Sequence, residues 1–384
     1  MSLTDFAFAP IPPQAEALRD EVRRFLQREM ANIPALVRAD SWLGYDADFS
    51  RRLGEAGLVG ITLPKRFGGR EGGAFARYVV SEELLAAGAP VSAHWIADRQ
   101  SAPLLMHYGT PAQQERYIPG IARGETFFCI GMSEPNSGSD LASIGSRATP
   151  APDGKGWVLN GRKIWTTNGH RSHYMIALVR TAGREDDRHG GMSQFVIDLK
   201  APGVTVRPIQ DLTGHEHFNE VFFDDVKLDQ DSLVGVEGNG WNQVMAELAF
   251  ERSGPERFLS SMTLLHTLID EIGTQPDALQ SFHIGRIAAR LMALRAMSLS
   301  VTAELDAGGD PAWAASCVKD IGTALEQELP EIGQLLDTAE PRVNSGSDHA
   351  QVLAYLTQLA PSFSLRGGTR EILRGILARG LGAR

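Results

Sequence analysis

The stretch "AELAFERSGPERF", residues 246–258, places Glu247 and Glu251 at i and i+4 and follows the second with Arg252. A helix over 241–253 lays Trp241, Met245, Leu248 and Arg252 along one stripe, with Val244 and Glu251 at its edge. A carboxylate beside an apolar face suits a proton acceptor in a pocket. A structural ion pair or a solvated helix edge fits the same spacing. The second carboxylate one turn away would tend to raise the pKa of either.

Other stretches offer polar groups without an acid–base pair. "GMSEPNSGSDLAS", residues 131–143, follows a β-like run, and its small residues let backbone N–H groups and the hydroxyls of Ser133 and Ser139 approach a polar ligand. The same composition also describes an ordinary loop. "NGRKIWTTNG", residues 160–169, sets a tryptophan beside threonines on a strand, an aromatic wall next to hydroxyl donors that suits a flat heteroaromatic group. A core tryptophan on a sheet is the plainer alternative. In "SLRGGTREILRG", residues 364–375, Gly367 and Gly368 let the backbone press close to something flat or bulky. His215 and His217, in "GHEHFN", sit at i and i+2 on a loop with no third ligand near them in sequence, so a metal is not expected.

The elements that must position these residues fall into a clear order. At 384 residues the chain is long for one compact core. Residues 14 to 124 carry helical periodicity, with Ala17, Val22, Phe25 and Leu26 near one face of the first long run. From 125 the texture changes to short β-branched and aromatic runs separated by turn clusters: "TFFCIG", "WVLNGRKIWTT", "YMIALVR", "SQFVIDL", "VTVRPI" and "NEVFFDDVKL". From Gly240 helices return, over 241–253, 256–273, 278–305, 313–337, 348–359 and 369–380. The expected fold is α+β and multidomain: an N-terminal helical domain (1–124), a middle antiparallel β domain (125–235) and a C-terminal helical bundle (236–384).

Bulk composition narrows the function classes. A net charge of −10 argues against a general nucleic-acid binder. Cys129 and Cys317 are the only cysteines and lack metal-ligand spacing, which fits a reducing compartment without a disulfide scaffold. The N-terminal stretch lacks a basic start followed by an apolar run, and nothing approaches the roughly 20 apolar residues of a membrane span. The cytoplasm is the expected location.

Taken jointly, "MSEPNSGSDLAS" followed by "NGRKIWTTNG" resembles the acyl-CoA dehydrogenase family. "HEHFNEVFFDDVKL", "LVGVEGNGW", "ELAFERSGPERF" and "GGTREILRGILARGLG" extend the likeness over nearly the whole chain, in the family's helical, β, helical order. The resemblance implies FAD as cofactor, an acyl-CoA substrate, α,β-desaturation, and delivery of electrons to an electron-transfer flavoprotein by a dimer or tetramer. It also places Met132 and Ser133 along the isoalloxazine, with Ser133 on its pyrimidine edge, and Ser139 near the FAD pyrophosphate and the CoA arm. Trp165 would pack against the flavin, Thr167 would donate to the hydride-accepting nitrogen, and Gly368 and Thr369 would touch FAD from the C-terminal domain. His94 and Trp95 could line the acyl end, but serve equally as core or interface and are not counted as site residues.

Many relatives carry the α-proton acceptor immediately before the Gly-Thr of the terminal motif, where this chain has Gly367. A minority similar to long-chain and isovaleryl-CoA dehydrogenases take it from another helix, directly before an arginine. That position here is Glu251, with Glu247 in reserve and Arg252 positioning CoA or the site wall. An aspartate that contacts CoA in some relatives is replaced by Ala249. The Gly367 N–H, with a flavin hydroxyl, would polarise the thioester carbonyl. Two family elements that hold the FAD pyrophosphate and adenine across subunits, R-x-x-F-G and Q-x-x-G-G-x-G, have no counterpart in this chain. FAD is then held by other groups or by a non-identical partner subunit. A flavin oxidase or monooxygenase, and a non-catalytic partner subunit, are the alternative readings.

Overall fold

The computed structural model describes residues 6–183, 188–251, 253–336 and 340–383, with the backbone alone at 246–251. Helices open the chain: α1 (Pro13–Glu16), α2 (Leu18–Glu29), α3 (Ala35–Arg38), α4 (Ala47–Glu55), α5 (Ala74–Ala86), α6 (Ser92–Ile96), α7 (Ala102–Tyr108) and α8 (Pro111–Ala122). α2 buries Val22, Phe25 and Leu26, the i, i+3, i+4 face its periodicity predicts. α8 starts on a capping box, Thr110 with Gln113, and carries proline in its first turn, where a missing N–H costs nothing.

The six predicted strand runs all form, as β1 (Phe128–Gly131), β3 (Trp157–Thr167), β4 (Tyr174–Arg180), β5 (Met192–Asp198), β6 (Val204–Ile209) and β7 (Phe218–Leu228). Two short strands join them, β2 (Arg147–Pro150) and β8 (Leu233–Val234), too brief to show an alternation in sequence. The sheet order is β6-β7-β3-β2-β4-β5-β8, and β1 lies parallel to β4. A single bridge between β2 and β4 is also parallel; the remaining ladders are antiparallel. β4 and β5 are covered on both faces. Leu159, Met175, Phe195 and Ile197 pack together on one side, while Ile176 and Val196 meet Leu104, Ile118 and Ile121 on the other.

α9 (Gly240–Glu251), α10 (Met262–Ile272), α11 (Ala278–Asp306), α12 (Ala312–Leu336), α13 (Asp348–Leu359) and α14 (Arg370–Gly380) complete the chain. The single helix expected over 256–273 is broken. A 3-10 turn spans Pro255–Arg257, Phe258 leaves helical space at φ −150°, and α10 starts only at Met262. The reason is Glu326, whose carboxylate takes the Ser260 N–H at 2.8 Å in place of a helical carbonyl. By packing, the chain groups into one unit of Met1–Tyr45, Gly72–Val91 and Leu248–Arg384 and another of Asp46–Glu71 and Ser92–Glu247. No helix among the described residues is long and apolar enough to cross a membrane.

Candidate cofactor and active site

β3 contains the feature that presents the aromatic wall. Strand alternation puts Leu159 and Lys163 on the core face, both fully buried, and would carry Trp165 inward with them. The β3–β7 register shifts between Lys163 and Thr166, a bulge that reverses the parity. Trp165 adopts φ 60° and stands 58 % exposed, its ring edge-on to Phe218 at 6.2 Å, while Thr166 is buried. A non-glycine residue held at positive φ is an uncommon arrangement that the surroundings must enforce. Thr167, half-buried, pairs with Phe218, and Asn168 follows in the left-handed region, its amide donating to Ser92 Oγ at 2.6 Å. The sequence reading therefore needs one correction: Trp165, Thr166 and Thr167 do not share a wall, because the bulge sends Thr166 into the core.

The end of β1 is joined to this bulge. Ile164 N–H donates to Ser133 O at 3.0 Å, and Gly131 packs so closely that a Cβ there would come within 2.5 Å of Met175 Sδ and 3.3 Å of Lys163 Cγ. Lys163 Nζ donates to Met132 O at 3.0 Å and to Glu134 Oε1 at 2.8 Å. Glu134 in turn accepts the N–H groups of Gly145 at 2.6 Å and Ser146 at 3.0 Å. Burial pulls the Lys163 ammonium down to about 8, against the pull of Glu134, which leaves it charged at neutral pH. Burial alone would push the Glu134 carboxyl up; the Lys163 charge and the hydrogen bonds it accepts outweigh that and hold it below the usual range. Met132 and Ser133 are half-buried and Ser139 is exposed on the loop that Glu134 closes.

In the other unit, Gly367 and Gly368 both take positive φ, 62° and 96°, and Thr369 caps α14 by accepting the Ile372 N–H. Lys319, buried on α12, donates to Gly368 O at 2.5 Å. Arg366 is clamped just before the glycines. Its Nη2 donates to Ser260 Oγ at 2.7 Å and Glu326 Oε2 at 3.1 Å, and its guanidinium lies 4.6 Å from the ring centroids of both Trp42 and Phe363. Burial lowers its pKa to about 10, opposed by Glu326, so it too remains charged. α9 ends at Glu251; the side chains of Glu247 and Glu251, and all of Arg252, lie outside the described residues.

His94 is core. It is 3 % exposed, its Nδ1 lies 2.8 Å from Ser50 Oγ, and burial pulls its pKa down to about 3. The unfolded chain therefore binds a proton below its ordinary value of 6.5 that the fold refuses, and stability falls as pH drops from there toward 3. His94→Gln is expected to remove about 3 kcal/mol of that acid-side loss, read by urea unfolding at pH 4 and pH 7. Composition and motif reading passed over Lys163 and Glu134 as functional residues. The signal was present: period-two alternation from Leu159 puts a lysine on a core face, which requires a buried partner.

The arrangement can bind a flat, polar-edged heterocycle. An indole is held outward at strained φ, and the Ser133 and Thr167 positions flank the same bulge. These groups fit a flavin.

The comparisons with known proteins agree. The family model described as "Acyl-CoA dehydrogenase, N-terminal domain" matches residues 12–125, and "Acyl-CoA dehydrogenase, middle domain" matches residues 129–226. The chain is 30 % identical over 386 residues to acyl-CoA dehydrogenase IpdE1 of Mycolicibacterium smegmatis, covering 95 % of this chain and 96 % of that one. Against IpdE1 of Mycobacterium tuberculosis it is 38 % identical over 244 residues, 62 % of this chain and just under two thirds (63 %) of the relative's length. Among solved structures, the Tcur3481-Tcur3483 steroid ACAD superposes with TM-score 0.84 at 26 % identity, covering 97 % of this chain and 98 % of that chain. The ChsE4-ChsE5 complex of Mycobacterium tuberculosis superposes with TM-score 0.82 at 26 % identity over 100 % of both chains. The chain belongs to the acyl-CoA dehydrogenase family and is an oxidoreductase of that family.

Proposed function

We propose that this chain is an FAD-dependent acyl-CoA dehydrogenase that introduces an α,β double bond into a bulky, steroid-derived acyl-CoA. The observation that carries the flavin reading is the β3 bulge, which turns Trp165 outward beside Ser133 and Thr167. The substrate class rests on likeness to a solved steroid ACAD.

Bound FAD would supply the acceptor for the hydride that leaves the β-carbon, and an electron-transfer flavoprotein would take up the electrons. The chain's own groups do the rest. The α-proton of a thioester is too weakly acidic for water to remove at pH 7, so the developing enolate needs donors at the carbonyl oxygen and a carboxylate at the α-carbon. Glu251 takes the α-proton, and the Gly367 N–H donates to the thioester carbonyl. A main-chain donor works there whatever the side chain, so glycine sacrifices no carbonyl polarisation. Met132, Ser133, Trp165, Thr167, Gly368 and Thr369 hold and orient FAD; Ser139 and Arg252 reach the CoA arm.

A specific observation favours placing this chain in a mixed oligomer. The R-x-x-F-G region is occupied here by the turn into α11, where Asp277 and Gln280 form a capping box, leaving those side chains engaged with the helix start. The solved relative ChsE4-ChsE5 is a complex of two proteins. A non-identical partner would then complete the pyrophosphate and adenine contacts.

The test is anaerobic addition of an acyl-CoA panel, short, branched and steroid-derived, to purified FAD-loaded protein. Bleaching of the flavin absorbance by the steroid-derived thioesters is the expected result. Retention of full absorbance with every thioester would overturn the reading. Rapid reoxidation by air without an acceptor protein would instead indicate an oxidase. A colourless protein that gains flavin only with a second subunit would support the mixed oligomer.

A further inference from the structure

The β3–β7 ladder is interrupted between Lys163 and Thr166, so strand pairing leaves the position of Ile164 and Trp165 unspecified. What specifies it lies on the opposite side of β3. Ile164 N–H reaches Ser133 O, and the Lys163 ammonium reaches Met132 O and Glu134, while Glu134 gathers in Gly145 and Ser146. Lys163 is fully buried and its partner carboxylate side chain is 10 % exposed. A buried ion pair is a poor source of stability, because desolvation consumes most of its Coulombic gain and apolar residues of like volume fill the space as well. An ammonium bonded to a chosen carbonyl supplies direction, which an apolar contact lacks.

We propose that Lys163, held by Glu134, is a positioning residue of the cofactor edge: it locks the Met132–Ser133 end of β1 to the β3 bulge so that Ser133 and Trp165 meet one ligand in fixed register. The proposal rests on the flavin reading for the identity of that ligand. Lys163 itself touches no substrate or cofactor in this account; it acts through the Met132 carbonyl and through the loop that Glu134 closes.

The experiment compares the full-length parent with Glu134→Leu/Lys163→Met, Glu134→Gln and Lys163→Arg. Two readouts are taken: amide hydrogen exchange without added flavin, and FAD affinity with the absorbance spectrum of the bound flavin. Loss of the clamp is expected to speed exchange of the Ile164 amide about tenfold while β4–β5 amides stay protected. It is expected to weaken FAD binding about tenfold and shift the bound-flavin spectrum, with Lys163→Arg restoring both. Should the double variant fail to fold, Glu134→Gln, which keeps the volume and removes the charge, is expected to show the same pattern. Unchanged Ile164 exchange, or loss of protection spread evenly over the sheet, would overturn the clamp. So would unaltered FAD affinity and spectrum in a folded clamp variant. If the parent takes up no FAD either alone or with a second subunit, the functional reading fails, and the exchange data alone still decide the clamp.

Discussion

Glu251→Gln is expected to lower turnover by roughly a hundred- to ten-thousand-fold, the range for loss of a general base, while FAD content stays at the parent level. Gln keeps the size and polarity of Glu, so acyl-CoA should still bind within a few-fold of the parent affinity and the loss should fall on kcat. The expectation follows from the residues available. Gly367 occupies the place where many relatives carry their carboxylate, and it has no side chain to offer. The family pattern then points to the carboxylate of Glu251, the last residue of α9. Glu247→Gln, one turn back, is expected to leave turnover within about threefold, apart from a downward shift in the kinetic pKa as a like charge is removed. Steady-state rates with the best substrate and an artificial acceptor check both variants. Near-parental turnover in Glu251→Gln would move the base elsewhere, and loss confined to Glu247→Gln would name its replacement.

Glu326→Gln is expected to cost about 3–5 kcal/mol of folding stability, read as a fall in unfolding free energy by denaturant titration. Glu326 is fully buried and carries two tasks. One oxygen takes the Ser260 N–H that breaks the helix before α10, and the other pairs with Arg366. The neutral amide leaves the Arg366 guanidinium between Trp42 and Phe363 without its hydrogen-bonded carboxylate. Arg366 directly precedes the paired glycines, so loosening it should also slow catalysis without changing the residues that touch substrate. Arg366→Met/Glu326→Gln is expected to recover most of the stability, because the amide oxygen still accepts the Ser260 N–H and no buried charge is left unpaired. A change below about 1 kcal/mol in Glu326→Gln would show that the charge finds compensation elsewhere.

The sequence carried the fold class and the six principal strands because their periodicity is local. The apolar runs of β4 and β5 are continuous since both faces are covered, and the face of α2 follows from its i, i+3, i+4 spacing. Three features were hidden for a common reason: each is set by a partner distant in the chain. The bulge that turns Trp165 outward depends on the β7 register. The helix break at Phe258 depends on Glu326 from α12. The partner of the buried Lys163 is Glu134, a residue in a loop that reads as polar linker, although the alternation of β3 already placed the lysine on a core face. Of the candidate site, the glycine pair, Thr369 and the Ser133 and Trp165 positions were proposed from a family pattern; how the chain holds them was not legible.

The central claim is that an acyl thioester loses its α-proton to Glu251. The most direct measurement incubates the FAD-loaded protein with a reactive acyl-CoA in D2O and follows α-deuterium by mass spectrometry, with Glu251→Gln and Glu247→Gln alongside. The account predicts exchange in the parent and in Glu247→Gln and its loss in Glu251→Gln. Exchange at the parental rate in Glu251→Gln would contradict it.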